Sequence, residues 1–270
     1  STSICAQIRI EGNLSNRYAK FSQIENIDKS ILEVIYEYNV KDISIDETQT
    51  YFDILQLGNL FSKYFAYPIY QIDSVIYKKD ITKITIQESG EIYHHYGHSS
   101  ASSHMIIKDK TTGELSFYDR IFTDSYVYND EVNFKWSLIN ETRNVCGYSC
   151  KKATTKFRGR QWTAWYSSEI PQSDGPWKFS GLPGLILQIE DEDKEHFFTA
   201  ISIRNSNEDI SLTKRSYFTT NRQRFNKQIK EYKTNPATVI SGSQLAPKDN
   251  AGNEKPIAKR ALFFNPIELE

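Results

Sequence analysis

Across residues 31–41 apolar and polar side chains alternate, with Leu32, Val34, Tyr36, Tyr38 and Val40 on one face and Glu33, Glu37, Asn39 and Lys41 on the other. Successive side chains of a strand point to opposite faces, so this period of two predicts a half-buried strand. The pattern recurs less cleanly at 51–57, 74–77, 81–87, 105–108 and 115–118, then at 134–140, 149–155, 161–166, 185–190 and 197–203. Asp109-Lys110-Thr111-Thr112-Gly113 reads as a hairpin loop, and Gly159 and the acidic stretch 191–195 read as turns. Short strands following one another without room for crossover helices predict an antiparallel, mostly β meander. One helix is expected late, where Phe218, Phe225, Ile229 and Tyr232 recur at helical spacing before Asn235-Pro236. We read residues 7–240 as one β-rich domain, and 241–270 as a polar loop followed by a C-terminal segment that packs back on it.

Composition strengthens the strand reading: 17 Tyr and 15 Phe against one Met favour pleated, half-buried surfaces. The formal net charge of −1 removes the electrostatic case for nucleic acid as a partner. No apolar run approaches the roughly 20 residues that span a bilayer, so no transmembrane helix is expected. Seven Lys and Arg between 214 and 233 face only Glu231, which we read as the solvated side of the late helix.

Residues 1–6, Ser-Thr-Ser-Ile-Cys-Ala, have the small-residue texture of the end of a signal peptide, with Ala6 suited to precede a cut. Export to the periplasm, outer envelope or medium is therefore expected, and a lipid anchor on Cys5 is the weaker reading because Ile4 suits that processing poorly. Cys5, Cys146 and Cys150 are an odd number and describe no disulfide framework. In one extended strand Cys146 and Cys150 would lie roughly 13 Å apart, beyond the limit of about 7 Å, so a bridge requires Gly147 to turn the chain.

Four histidines, His94, His95, His98 and His104, share a stretch with Ser99, Ser100, Ser102 and Ser103. The spacing matches no zinc pattern, so we expect an exposed loop, no metal site and no cofactor. Cys150 reads as a buried, inert thiol. The acidic stretch 190–195 lacks the spaced oxygen ligands of a calcium loop, and no Gly-x-Ser-x-Gly elbow is present. A hydrolase or peptidase using Cys150 or the histidine stretch is the alternative to a non-enzymatic role.

The run Gly147-Tyr148-Ser149-Cys150-Lys151-Lys152-Ala153 is followed by Phe157-Arg158-Gly159-Arg160, Ala164-Trp165-Tyr166, Glu169-Ile170-Pro171 and Gly175-Pro176. Phe179-Ser180-Gly181-Leu182-Pro183-Gly184-Leu185-Ile186 completes it, and Asn265-Pro266-Ile267-Glu268-Leu269 closes the chain. Together these closely resemble the GLPGLI family. The resemblance implies an exported envelope or secreted protein of Gram-negative bacteria, with no assigned biochemical role. It also implies a curved fold similar to the bowl-shaped β domain that precedes the catalytic part of a type II peptide N-glycosidase. Cys146 departs from the family pattern, which favours an aliphatic residue there. Read physically, Gly181, Leu182, Pro183 and Gly184 form a rigid turn that feeds Leu185 and Ile186 into the core, with Cys150 in the same structural motif. Arg158, Arg160, Trp165, Glu169 and Trp177 are the candidate ligand-binding residues, since Trp and Arg commonly anchor peptide or glycan recognition. The expected role is a binding or accessory module for a peptide, protein or glycan partner.

Overall fold

The computed structural model describes residues 17–97, 102–241, 243, 246–249, 252, 253, 255, 257 and 261–270. Segment 1–6 with Cys5, and His98, Ser99 and Ser100, lie outside the described residues. The chain runs β1 (Ile24–Asp42), β2 (Glu47–Gly58), β3 (Phe61–Ala66), α1 (Tyr67–Ile76), α2 (Ile86–His95), β4 (Met105–Asp109), β5 (Leu115–Ile121) and β6 (Asp124–Asp130). It continues through β7 (Ser137–Val145), β8 (Tyr148–Phe157), β9 (Arg160–Ser167), β10 (Leu185–Asp191), β11 (His196–Asn205), β12 (Asp209–Thr213) and β13 (Phe218–Thr219), ending in α3 (Arg222–Thr234) and α4 (Pro236–Ser241).

The expected β-rich fold is present as one large sheet assembled from two meanders. Strands β1 to β6 lie side by side in sequence order, as do β7 to β11, and the two sets are joined by antiparallel pairing of β1 with β11. All pairs are antiparallel except the short β13, which runs parallel to β6. The sheet does not close into a barrel, because β13 and β7 are its two ends. The 19 residues of β1 make the junction possible: its first part pairs with β12, its second with β11, and its other edge with β2. The predicted alternation is visible there, with Val34, Tyr36, Tyr38 and Val40 buried in the main core. One core also takes Phe117 and Tyr128 from β5 and β6, Phe157 and Trp162 from β8 and β9, and Phe225 from α3. Strands so far apart in the sheet can share a core only because the sheet curves around one face.

Several expected strands are corrected. Residues 74–76 end α1 and Tyr77 is its C-cap, while 81–87 form turns and the start of α2. Their β-branched residues mimic a strand, but Pro68 stands in the first turn of α1 and Ile69, Ile72 and Ile76 recur at helical spacing. Thr85 caps α2 by accepting a hydrogen bond from the Glu88 amide at 3.1 Å, the Thr-x-x-Glu signature of a helix start. Ile72, Ile76 and Ile84 form a separate small core with these helices. Phe218 is not on the late helix: it sits in β13 and is exposed, while Asn221 caps α3 through the Arg224 amide. Asn235-Pro236 ends α3 but also opens α4, since proline is accepted at a helix start. The strand expected at 134–140 begins only at Ser137; Phe134 and Trp136 pack against the core before it.

The loop between β9 and β10 bridges the curved face. Its Asp174, 4% exposed, receives Lys108 Nζ of β4 at 2.5 Å and the Ser62 hydroxyl of β3 at 2.6 Å. Lys108 also donates to the Phe179 carbonyl at 3.0 Å, so this one ammonium holds the loop to the opposite meander. The Gly181-to-Gly184 turn then returns the chain to β10, whose Leu185, Ile186 and Leu187 are wholly buried. Gly184 has φ +147, and a Cβ there would sit on the carbonyl oxygen of Ser167. Because that obstacle is backbone of the paired strand, it cannot move without breaking the β9–β10 register. Gly184→Ala is expected to lower the unfolding free energy by about 3 kcal/mol or more. Urea titration checks this, and a wild-type midpoint would show that the turn is not architectural.

Candidate functional site

The late helix is amphipathic, and its apolar stripe determines where it lies. Phe225 packs on Phe117, Tyr126 and Tyr128, with ring centroids 5.8, 5.9 and 5.7 Å away. α3 thus roofs the curved face beside β5 and β6. Opposite it runs segment 261–270, neither helix nor strand, whose Phe263, Phe264 and Ile267 pack against the main core. Between them lies a cavity of about 940 Å³ lined by aromatic residues including Tyr38, Tyr51, Tyr128 and Trp177, with Lys227, Lys230 and Lys233 of α3 on its rim.

At the cavity wall sits Lys178, with no exposed surface. Its ammonium lies 4.7 Å from the Trp177 ring centroid, 4.8 Å from Phe117 and 5.2 Å from Tyr128. Trp177 takes φ 51, a conformation rare for a side chain of that size. The ammonium donates to Glu268 at 2.6 Å, Asp130 at 2.7 Å and the Tyr128 hydroxyl at 3.1 Å. Arg158 binds Asp130 through both guanidinium nitrogens, at 2.6 and 2.7 Å, and Glu268 at 2.7 Å. Arg222 reaches the other Glu268 oxygen at 3.3 Å. Burial pulls the Lys178 pKa below its ordinary value, with Glu268 and Asp130 opposing. Burial would raise the Asp130 carboxyl, but Arg158 and Lys178 outweigh it and hold it below the usual carboxylate value.

Arg158 lies in the turn between β8 and β9 and Arg160 opens β9, with Arg158 (φ 44) and Gly159 (φ 82) forming a two-residue hairpin loop. Arg160, also buried, binds Asp191 at 2.6 Å and Glu195 at 2.7 Å. These contacts use Nη1, while Nη2 donates to the Asn265 side chain at 2.9 Å and the Pro266 carbonyl at 3.0 Å. Beside it His196 is fully buried, with Nδ1 2.8 Å from the Tyr38 hydroxyl. Burial, aided by the nearby Arg160 charge, lowers its pKa to about 3.

Of the five sequence candidates, Arg158 and Trp177 meet around Lys178, and Arg160 lies one turn away. Trp165 is elsewhere, buried beneath Arg143 at 4.1 Å, with Lys152 at 5.7 Å. Glu169 is exposed and accepts the Ser149 amide at 3.0 Å. Lys178, Asp130 and Glu268 escaped the sequence reading, although a lysine enclosed in Trp177-Lys178-Phe179 was a signal of a buried cation. Of the histidines, His94 and His95 end α2 on the surface, whereas His104 stands between the Tyr64 and Phe117 rings. Ser103 donates to Asp119 at 2.5 Å, and burial raises the Asp119 carboxyl. His104 Nε2 is buried without a hydrogen-bond partner, so the acceptor of the Ser103 hydroxyl is the Asp119 carboxylate and not this imidazole nitrogen. Cys146 and Cys150 are free: Cys146-Gly147 forms the β7–β8 turn, and burial pushes the Cys150 thiol up to about 11. Among the described residues no group of three or more His, Cys, Asp or Glu could hold a metal ion.

A family described as a protein of unknown function (Porph_ging) matches residues 158–188, the stretch from Arg158 through Lys178 to the start of β10. No curated protein matches the chain. Among solved structures, one titled "Structure of PNGF-II in P21 space group" aligns with a TM-score of 0.51 and 14% identity over 76% of this chain and 34% of that one. A second, of PNGF-II in the C2 space group, aligns at 0.49 and 14% over 76% and 33%. The chain thus spans about a third of the length of the solved proteins it matches. The P21 likeness is one of fold and transfers no residue or reaction.

Two outcomes follow. Native protein treated with iodoacetamide at pH 8 is expected to stay unmodified at Cys150 until unfolded, since its thiolate fraction is small and its sulfur has no exposed surface. Peptide mapping checks it. The second concerns acid. Above pH 6.5 His196 is neutral in both states; below it the unfolded chain takes up a proton that the native state refuses down to about pH 3, so stability falls as pH falls through that window. At about 1.4 kcal/mol per unit, moving from pH 7.5 to 5 costs wild type roughly 2 kcal/mol more than His196→Gln. Equal losses in urea titrations would refute the assignment.

Proposed function

We propose that the chain is a binding or accessory module for a peptide, protein or glycan partner, acting outside the cytoplasm as its resemblance to the GLPGLI family implies. The observation that carries this reading is the aromatic-walled cavity of about 940 Å³ between α3 and segment 261–270. Aromatic walls with a few charged groups at the rim suit peptide and sugar recognition. Catalysis by Cys150 is disfavoured because that thiol is buried with a raised pKa, and His104 Nε2 is buried without a hydrogen-bond partner among the described residues. Among the described residues no helix is long and apolar enough to cross a membrane.

The test is a calorimetric titration with neutral oligosaccharides and with unstructured peptides. Tyr51→Ala, at a half-buried cavity position, is expected to weaken binding of the best ligand at least about fivefold, the scale of losing one aromatic contact. Turnover of peptide or ester substrates that vanishes in Cys150→Ser or His104→Ala would replace this reading with the hydrolase.

A further inference from the structure

Segment 261–270 is held much as a bound peptide is held. It joins no strand; backbone carbonyls and side chains of other elements grip it along its length. The Leu262 amide donates to the Lys233 carbonyl at 2.7 Å, the Asn265 side chain to the Lys41 carbonyl at 3.0 Å, and the Leu269 amide to the Arg158 carbonyl at 3.0 Å. Arg160 holds Asn265 and Pro266, while Arg222 reaches the Glu270 carbonyl. Gly159 leaves room for Leu269, whose Cβ would lie 2.8 Å from a Cβ at position 159. At the centre Glu268, 9% exposed, meets Lys178, Arg158 and Arg222. Removing Glu268 leaves Lys178 and Arg158 to share the single carboxylate of Asp130 and takes from Arg222 its carboxylate, with Lys178 wholly buried among aromatic rings. The groove therefore demands a carboxylate at that point, whatever chain supplies it.

We infer that this groove is a binding site for extended acidic peptides, filled in this chain by its own residues 262–270. The occupant it selects has an Asn-Pro step followed by an aliphatic residue and a glutamate: Arg160 reads the Asn side chain and the Pro carbonyl, and the cluster of Lys178, Arg158 and Arg222 reads the carboxylate. The tether favours the chain's own segment by raising its effective concentration, so a competing peptide, such as the same segment of a second copy, binds where its concentration or its fit exceeds that of the tethered one. This inference rests on the binding-module reading and narrows it to one ligand class.

The experiment uses the full chain with a protease recognition sequence inserted after Gly252, cut in the native state. The released piece is expected to co-elute with the body on size exclusion. A synthetic peptide of residues 261–270 then displaces it, with a half-displacing concentration at least tenfold lower than that of the same peptide carrying Glu268→Gln. Displacement should leave the far-ultraviolet circular dichroism of the body unchanged. Loss of the piece on cutting with no rebinding of peptide, equal competition by the two peptides, or unfolding of the body on displacement would each overturn the inference. If neutral oligosaccharide displaces the piece and peptide does not, the binding module stands and the peptide class falls; if neither competes, both fall.

Discussion

A buried ammonium is the constraint around which this molecule is organised. Lys178 has no exposed surface, and an unpaired charge in such a place costs far more than a domain's net stability allows. The loop carrying it must therefore be met by carboxylates, which arrive from the end of β6 as Asp130 and from the C-terminal segment as Glu268. Removing one partner of such a set typically costs about 3–5 kcal/mol. The Lys178 cluster thus ties together the β9–β10 loop, the first meander and the tail. Lys108 repeats the device nearby, clamping Asp174 of the same loop to β4.

These ion pairs close the open side of a curved sheet. Two meanders joined only through β1 and β11 would leave their far strands unconnected. The β9–β10 loop crosses that gap, and its Phe179, Trp177 and Lys178 complete the core that both meanders share. What remains between loop, α3 and tail is the aromatic-walled cavity, so architecture and candidate site are made from the same residues. Arg158 and Arg160 illustrate this: both brace the hairpin between β8 and β9, and both grip segment 262–270.

The legible part of the site was its chemistry, and its assembly was hidden. Arg158, Arg160 and Trp177 could be picked out because Arg and Trp are rare, costly and directional. Trp165 carried the same signal and belongs to other surroundings, since the neighbour that covers it is Arg143 of β7, while Glu169 accepts the Ser149 amide at the surface. Lys178 lies 48 residues from Asp130 and 90 from Glu268, so nothing local could announce that these two carboxylates meet its ammonium. His104 was grouped with His94 and His95 by proximity in sequence, yet α2 ends between them and sends them to different surroundings.

Strands β3, β6, β12 and β13 were not anticipated, whereas β1, β2, β4, β5 and β8 to β11 were readable because a period of two is a local property of a half-buried face. The same is true of the hairpin turn before β5 and the apolar stripe of α3. Where β-branched residues coincide with helix punctuation, as at Ile84-Thr85-Ile86, the local pattern is ambiguous, and packing of Ile72, Ile76 and Ile84 against one another decides for helices and turns. A curved sheet and a tail packing back on it were already expected, whereas the pairing of β1 with β11 and the partners that the tail meets were decided only by tertiary structure. Each depends on burying groups distant in sequence against one another, and a linear pattern shows which side chains must be buried but not which partners they will find.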